Sequence, residues 1–312
     1  MPISRAEAHR GAALVTESTP RLRATNGKGI QMKFVDTKLA RRLEAAEDMP
    51  QVAIAQQLQW TNPEIGAEVL DIAGGHATFT GKTSVVGRAV GMGLCGPVSA
   101  AELDQVEAFY KKHEIPAQVD ITPVTDGSLL ELLKARGYVI AELNNVLARE
   151  LKPEERFNEE APGFEFRAFS LEQTELWTQT MLRGFFPDGG VPENLDKVLA
   201  PMATMPRSLA TLVWRAGEAG KAGAQPVGCC GGFLSSEHGM IALGGTSTVA
   251  ECRGRGIQTA AIGRRLNIAI KEGYNLAVIV TQGNTTSMRN AERMGFSLAY
   301  SKATVVKAFG ND

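Results

Sequence analysis

Thr246-Ser247-Thr248-Val249-Ala250-Glu251-Cys252-Arg253-Gly254-Arg255-Gly256-Ile257-Gln258-Thr259 is the stretch on which the reading of this 312-residue chain turns. It leaves a β-like run at 239–249 and enters a helical pattern over roughly 256–272, closed by Gly273. Glycines let the backbone turn sharply and approach a ligand closely. The first N–H groups of the helix have no partners within it, and the helix dipole adds positive character there. The stretch therefore predicts an anion cradle suited to a pyrophosphate, with Arg253 and Arg255 placed to meet outlying phosphates.

Working outward, the second half alternates cleanly. Phe164 to Phe169 reads as a half-buried strand, and Ser170 with Gln173 forms a capping-box start for a helix through Trp177 toward Arg183. A Pro/Gly loop at 185–190 precedes a second helix near 193–203, and β-like runs follow at 208–216, 226–234 and 239–249. Beyond the helix at 256–272, the apolar run Leu276–Thr281 suits a buried strand, a short helix reaches Met294, and Gly295-Phe296 leads into a final strand pair through Lys307. The first half echoes this order at an offset of 158 residues: Gly137-Tyr138 falls on Gly295-Phe296, and Val119–Thr122 on Ala277–Val280. The helix opening at Ser99, with Glu102 as its capping-box partner, falls on 257. The expectation is two related αβ domains, at 32–151 and 164–312, joined by the polar segment 152–163 and preceded by a flexible tail at 1–31.

Composition narrows the function. Thirty-three basic against 34 acidic side chains, a net charge of −1, leave no electrostatic footprint for nucleic acid or an anionic membrane. No apolar run approaches the ~20 residues of a membrane helix, and residues 1–31 lack the apolar segment of a secretory signal. The four cysteines show neither zinc spacing nor a disulfide framework, so no metal is expected and a reducing cytoplasm is. Nineteen of the 33 glycines fall in two windows, 66–96 and 217–256, at matching positions of the two halves. Gly75 to Thr83 nearly spells a nucleotide phosphate loop. It has one residue too many and is followed by a β-like run, which predicts a hairpin turn.

Strand, R-G-x-G loop, helix, buried strand, Asn-containing short helix and Gly-Phe together resemble the GNAT superfamily of acyl-CoA-dependent N-acyltransferases. The resemblance implies an α/β (α+β) fold, each domain a mixed, largely antiparallel twisted sheet flanked by helices. It implies acetyl-CoA as co-substrate, direct transfer to an amine in a ternary complex, and a small-molecule or peptide amine as acceptor. The family's acetyl-CoA motif runs from Arg253 through Gly254 and Gly256, with Gln258 where a Gly or Ala is usual, which crowds the turn against the pyrophosphate. Asn284 with Ser287 resembles the pair facing the pantetheine arm, and backbone N–H groups near Thr248 and Val249 are the implied donors to the arm and carbonyl. Ser247, Ile257 and Thr259 complete the expected cofactor surface. Arg289 is either solvated or a further phosphate contact. In the first half, Leu94-Cys95-Gly96-Pro97-Val98 stands opposite Cys252–Gly256, and Pro97 removes an N–H that a phosphate would need, so that half resembles a degenerate copy.

The resemblance is weakest at the catalytic groups. The strand at 240–249 holds no Asp, Glu or His, and Ala291 stands where many members place a Tyr acid. The remaining candidates are Glu237, His238, Asp188 and Tyr300, with Tyr300 and Glu237 ranked first. Met181, Phe185, Phe186, Met202 and Met205 are either core or an acceptor-pocket wall. The sequence thus reads as an N-acetyltransferase. The alternatives are a longer acyl group, an oxygen acceptor, or a module that binds acyl-CoA without catalysis. Oligomeric state and the acceptor itself are not legible.

Overall fold

The computed structural model describes residues 35–309, so the expected tail at 1–31 lies outside the described residues. The first element is a helix that none of the sequence patterns announced: α1, Thr37–Thr61, capped by the Asp36 carboxylate, which accepts from the Leu39 N–H at 2.7 Å. Its apolar stripe is diluted because Glu44 and Gln51 are buried on it alongside Leu43, Ile54 and Leu58, and Pro50 sits inside it.

The first half continues with β1 (Glu68–Ile72), β2 (Gly75–Phe79), β3 (Ala89–Val90), α2 (Ala100–Lys112), β4 (Ala117–Ile121), α3 (Gly127–Ala135) and β5 (Val139–Glu150). The second half has β6 (Phe164–Ala168), α4 (Thr174–Phe185), α5 (Leu195–Thr204), β7 (Thr211–Arg215), β8 (Gly228–Ser235) and β9 (Met240–Thr248). It ends with α6 (Ile257–Lys271), β10 (Leu276–Gln282), α7 (Thr286–Arg293) and β11 (Ser297–Lys307). The capping boxes read at Ser170/Gln173 and Ser99/Glu102 are both formed, the first opening a 3₁₀ turn at Leu171–Gln173 ahead of α4.

The strands make one eleven-stranded sheet, in the order β1-β2-β3-β4-β11-β5-β10-β9-β8-β7-β6. It is antiparallel except between β3 and β4 and between β9 and β10. The two sheets expected from the sequence are thus continuous, and the last strand of each half has crossed to the other. β5 pairs with β10 from Leu276↔Glu150 to Gln282↔Asn144, while β11 pairs with β4 from Ala303↔Ile121 to Lys307↔Ala117. The two exchanged strands pair with each other at the centre.

Alternate residues of β9 and β10 face opposite layers, as the two-residue strand period requires. Met240, Ala242, Leu276 and Val278 pack against Ala40, Leu43 and Ala46 of α1. Ile241, Leu243, Ala277 and Ile279 pack against Ile262, Leu266 and Ala269 of α6. On the α1 side, Ile54 and Leu58 join Trp177 and Met181 of α4 and Val198 and Leu199 of α5. The first helix therefore packs on strands and helices of the second half as well as on β1, β2 and β3 of its own half. The segment 152–163, expected as a linker, is strapped to α6: Asn267 bonds the Phe157 N–H and carbonyl, each at 3.0 Å, and Glu159 at 2.6 Å.

A buried ion cluster ties β11 to α1. The Lys302 ammonium, its side chain 1% exposed, lies 3.0 Å from Glu44, 2.9 Å from Asp120 and in contact with Glu47. Arg88 reaches the same group, 3.0 Å from Glu47 and 3.2 Å from Asp120. Burial raises the Glu44 carboxyl above its usual range. Burial would do the same to Glu47, but Lys302 and Arg88 outweigh it and hold that carboxyl down to about 2. Removing one member of such a cluster strands the others. Lys302→Met is expected to lower the unfolding free energy by about 3–5 kcal/mol in a urea titration; a loss below ~1 kcal/mol would show that the cluster does not hold the strand. A depressed carboxylate stabilises above its ordinary value and loses that contribution as pH falls toward the folded value. Stability should therefore drop between pH 4.5 and about 2 through Glu47, and Glu47→Gln should flatten that drop. Glu44, shifted the other way, acts above 4.5 and leaves the window clear.

Candidate active site

The loop between β9 and α6 forms one wall of a groove of about 650 Å³. Gly254 and Gly256 adopt φ of +73° and +83°, the left-handed region that favours glycine, and nothing lies within 4 Å of where a Cβ would stand on either. Gly256 is the N-cap residue of α6 and provides no side-chain cap, so no N-cap side chain competes for the first N–H groups of that helix. Arg253 spans the groove's end, donating from Nη2 to the Gly184 carbonyl at 2.6 Å and from Nε to the Thr248 carbonyl at 3.2 Å.

Of the residues expected on the cofactor surface, Ser247, Thr248, Arg253, Gly254, Gly256, Ile257, Gln258 and Thr259 line this groove together. Others do not. The Arg255 guanidinium stacks over the Phe164 ring at 4.6 Å, and the Val249 N–H is spent on the Val227 carbonyl at 3.0 Å, so it is not a free donor. Asn284 is exposed in the turn after β10 at φ +56°, and Arg289 is exposed on α7. Among the described residues, Ser287 reaches the groove through Gln258, whose amide donates to it at 3.4 Å. Gln258 also accepts from Asn290 at 2.6 Å. Its side chain is thus turned onto α7 and does not crowd the loop. The sequence reading left Gly184, Thr286, Asn290 and Arg293 out of the cofactor surface, and all four line the groove. The spacing of the last three, four and three residues along α7, is the signal that marks one helix face.

The structure places the ranked catalytic candidates outside the groove. The Tyr300 hydroxyl is buried in the α1 cluster and donates to Glu44 at 2.8 Å. Burial first, then Glu44, raises its pKa far above the ordinary phenol range, and it lines neither the groove nor the cavity described below. Glu237 lies in the β8–β9 turn, at the opposite end of the nine-residue strand β9 from the loop, roughly 26 Å of extended chain away. It lines a separate cavity with His238, Asp48 and His76. Asp188 is exposed.

Between groove and sheet centre, β9 changes character. It pairs with β10 only from Leu276↔Met240 to Val278↔Ala242, after which the two parallel strands part. On its other edge the register with β8 slips: Gly231 faces Gly244 and Cys229 faces Ser247, so Gly245 and Thr246 stand opposite Cys230 alone. Gly244 lines a second cavity, of about 230 Å³, roofed by Glu47, Pro50, Gln51 and Ile54 of α1. Val85–Arg88, Met202, Met205, Phe233, Val278 and Val280 complete it, so of the expected pocket-wall residues Met202 and Met205 are there. Met181 is core, Phe186 packs against that core, and Phe185 borders the groove. Groove and cavity thus lie on either side of the bulge at Gly244–Thr246.

The profile of the acetyltransferase (GNAT) family matches residues 173–296, from the turn before α4 to the start of β11. The chain carries a GNAT-family acetyltransferase domain. Solved structures share its fold across both halves. A GCN5-related N-acetyltransferase from Kribbella flavida superimposes with a TM-score of 0.56 at 17% identity, covering 84% of this chain and 96% of that one. A GCN5-related N-acetyltransferase from Sphaerobacter thermophilus gives 0.52 at 18%, covering 77% and 75%. A tandem GNAT protein from the clavulanic acid biosynthesis pathway gives 0.54 at 11%, covering 76% and 79%. At these identities the likeness is one of fold. No curated protein matches the chain in sequence. In the GNAT domain, β9, the glycine loop and α6 form the groove, and in this chain the first half supplies the roof of the neighbouring cavity.

Proposed function

We propose that this GNAT protein is an acetyl-CoA-dependent N-acetyltransferase that passes an acetyl group directly to a primary amine, with both substrates bound together. The observation that carries the reading is the bulged, half-unpaired segment of β9, bordered by the groove on one side and the apolar cavity on the other. Acetyl-CoA supplies an activated acyl carbonyl. The groove suits its anionic phosphates through the uncapped start of α6 and the charges of Arg253 and Arg293. Peptide N–H groups freed where β9 leaves β10 are available to a carbonyl oxygen on which negative charge develops.

The amine acceptor is assigned to the cavity beneath α1. Its charged lining residues are Glu47 and Arg88, already paired with each other at 3.0 Å. Glu47, held low by Lys302 and Arg88 against the effect of burial, is a fixed hydrogen-bond acceptor and a poor proton acceptor. The remaining lining is largely apolar and disfavours an ammonium, so desolvation selects the neutral amine. This accounts for a β9 without acid or base.

In this reading the two halves are copies of one unit, and only the second binds the cofactor. The helix starts of the halves differ in the relevant way: α2 is closed by the Ser99/Glu102 capping box behind Pro97, whereas α6 follows an uncapped glycine. Free cysteines suit a reducing cytoplasm. A second reading, acyl-CoA binding without transfer, draws on the distance of Tyr300 and Glu237 from the groove.

Titration calorimetry with acetyl-CoA tests the groove. Arg253→Ala should weaken binding by about tenfold. Gly256→Pro should abolish it, because proline cannot adopt a φ of +83°. Unchanged affinity in both variants would sink the assignment. Release of free thiol with a panel of amines separates the readings: binding without turnover on any amine favours the second. For an alkyl amine, kcat/KM should rise about tenfold per pH unit below the amine's own pKa. A plateau set by a protein group near neutrality would contradict selection of the free base.

A further inference from the structure

Arg265, on α6, is 2% exposed, and among the described residues its hydrogen-bond partners are all neutral oxygens. Nε donates to the Ala261 carbonyl at 2.9 Å and Nη2 to the Thr246 hydroxyl at 3.0 Å. Nη1 donates to the Gly244 carbonyl at 3.2 Å and also to the Gly231 carbonyl. Burial pulls its pKa below the usual guanidinium range, with no carboxylate to oppose it. A buried cation without a carboxylate partner is costly. Every other buried cation described above sits among carboxylates; this one sits under the bulge.

The peptide geometry gives it a use. No peptide bond among the described residues is cis, so the C=O and N–H of each peptide unit point in opposite directions. The Gly244 carbonyl is turned toward Arg265 and the Gly231 carbonyl of β8. The N–H of the same peptide, that of Gly245, is therefore turned away from β8, toward the gap left where β10 departs after Val278. Gly245 holds φ +56°, and a Cβ on it would stand 3.0 Å from Met181 Cε and 3.2 Å from Met202 Cε, so the position admits only glycine without repacking. A cation on the oxygen of a peptide polarises the whole unit and strengthens its N–H as a donor.

We infer that Arg265 is a positioning residue for acyl transfer: it locks the bulge and polarises the Gly244–Gly245 peptide, making the Gly245 N–H the principal donor to the thioester carbonyl oxygen. This rests on the acetyl-transfer reading above. In the transfer the amine nitrogen forms the new N–C bond and the C–S bond breaks, its electron pair leaving on sulfur. One proton of the acceptor nitrogen passes to that sulfur through solvent. The carbonyl oxygen carries negative charge between the two events, and that charge is what the polarised N–H stabilises.

The experiment compares the full-length protein with Arg265→Gln, which keeps one neutral donor, and Arg265→Lys, which keeps the charge. Steady-state kinetics and the ¹H–¹⁵N signal of Gly245 are recorded for each. The Gln variant should lose about 30-fold in kcat, less than the ~10²–10³ seen when a donor is removed outright, with KM for acetyl-CoA within about twofold. The Lys variant should recover most of that loss. The Gly245 amide proton should lie downfield of the ordinary amide range in the wild type and move upfield in the Gln variant. A kcat unchanged in Gln, or KM and melting temperature collapsing together without rescue by Lys, would overturn the inference. If neither variant folds, the wild-type amide decides: an ordinary shift overturns it and a downfield one supports it. Wild-type protein that binds acetyl-CoA but turns over no amine strikes the transfer reading instead, and the amide shift keeps the two failures apart.

Discussion

The architecture depends on one buried ammonium. Lys302 belongs to the last strand of the chain, yet its three carboxylates come from α1 and β4, at the other end of the sequence. A lysine cannot be left charged in a core without partners, and three carboxylates cannot be crowded together without a cation. The cluster is stable only when β11 lies beside β4 with α1 across both. Tyr300 and Thr304, on the same strand, add hydrogen bonds to Glu44 at 2.8 Å and Asp120 at 2.6 Å, so the face of β11 turned to α1 is specified by polar groups. That specification fixes the crossing of the two terminal strands and makes two sheets into one.

The cavity follows from the same constraint. With α1 held across the sheet centre, Glu47, Pro50, Gln51 and Ile54 close over the place where β9 and β10 part. The first half thereby contributes the wall of the cavity proposed for the acceptor. The ion cluster also sets the chemistry of that wall. Glu47 is committed to Arg88 and Lys302, so the cavity presents a charge that orients and does not titrate near neutrality.

In the proposed transfer, the bulge on β9 is where backbone geometry becomes chemistry. Slipped register against β8 and lost pairing with β10 leave Gly245 and Thr246 without regular ladder partners on either side. The glycine at 245 is favoured by its φ of +56° and by the nearness of Met181 and Met202, and the arginine at 265 is held by the carbonyls it engages. Sequence patterns could not single out either. Gly245 sat in a glycine-rich window with ten others, and Arg265 reads in a helix as an ordinary surface cation until burial is known.

Local signals were legible because they act over a few residues. The strand-to-helix turn at 253–256, both capping boxes and the order of elements after Phe164 depend on neighbours within four positions, and each is formed, except that the strand pair expected after Phe296 is the single strand β11. Helix α1 was not legible because Glu44 and Gln51 interrupt its apolar stripe, and their partners lie on other elements. Tyr300 and Glu237 were nominated by residue type alone, which carries no distance: one is sealed in the ion cluster, the other at the far end of β9. By itself, then, the sequence determined the elements after Phe164 and the glycine loop, since backbone conformation and helix capping are short-range. Only the tertiary structure decided strand exchange, the roof over the cavity and the cation beneath the bulge, because each is set by contacts between residues far apart in the chain.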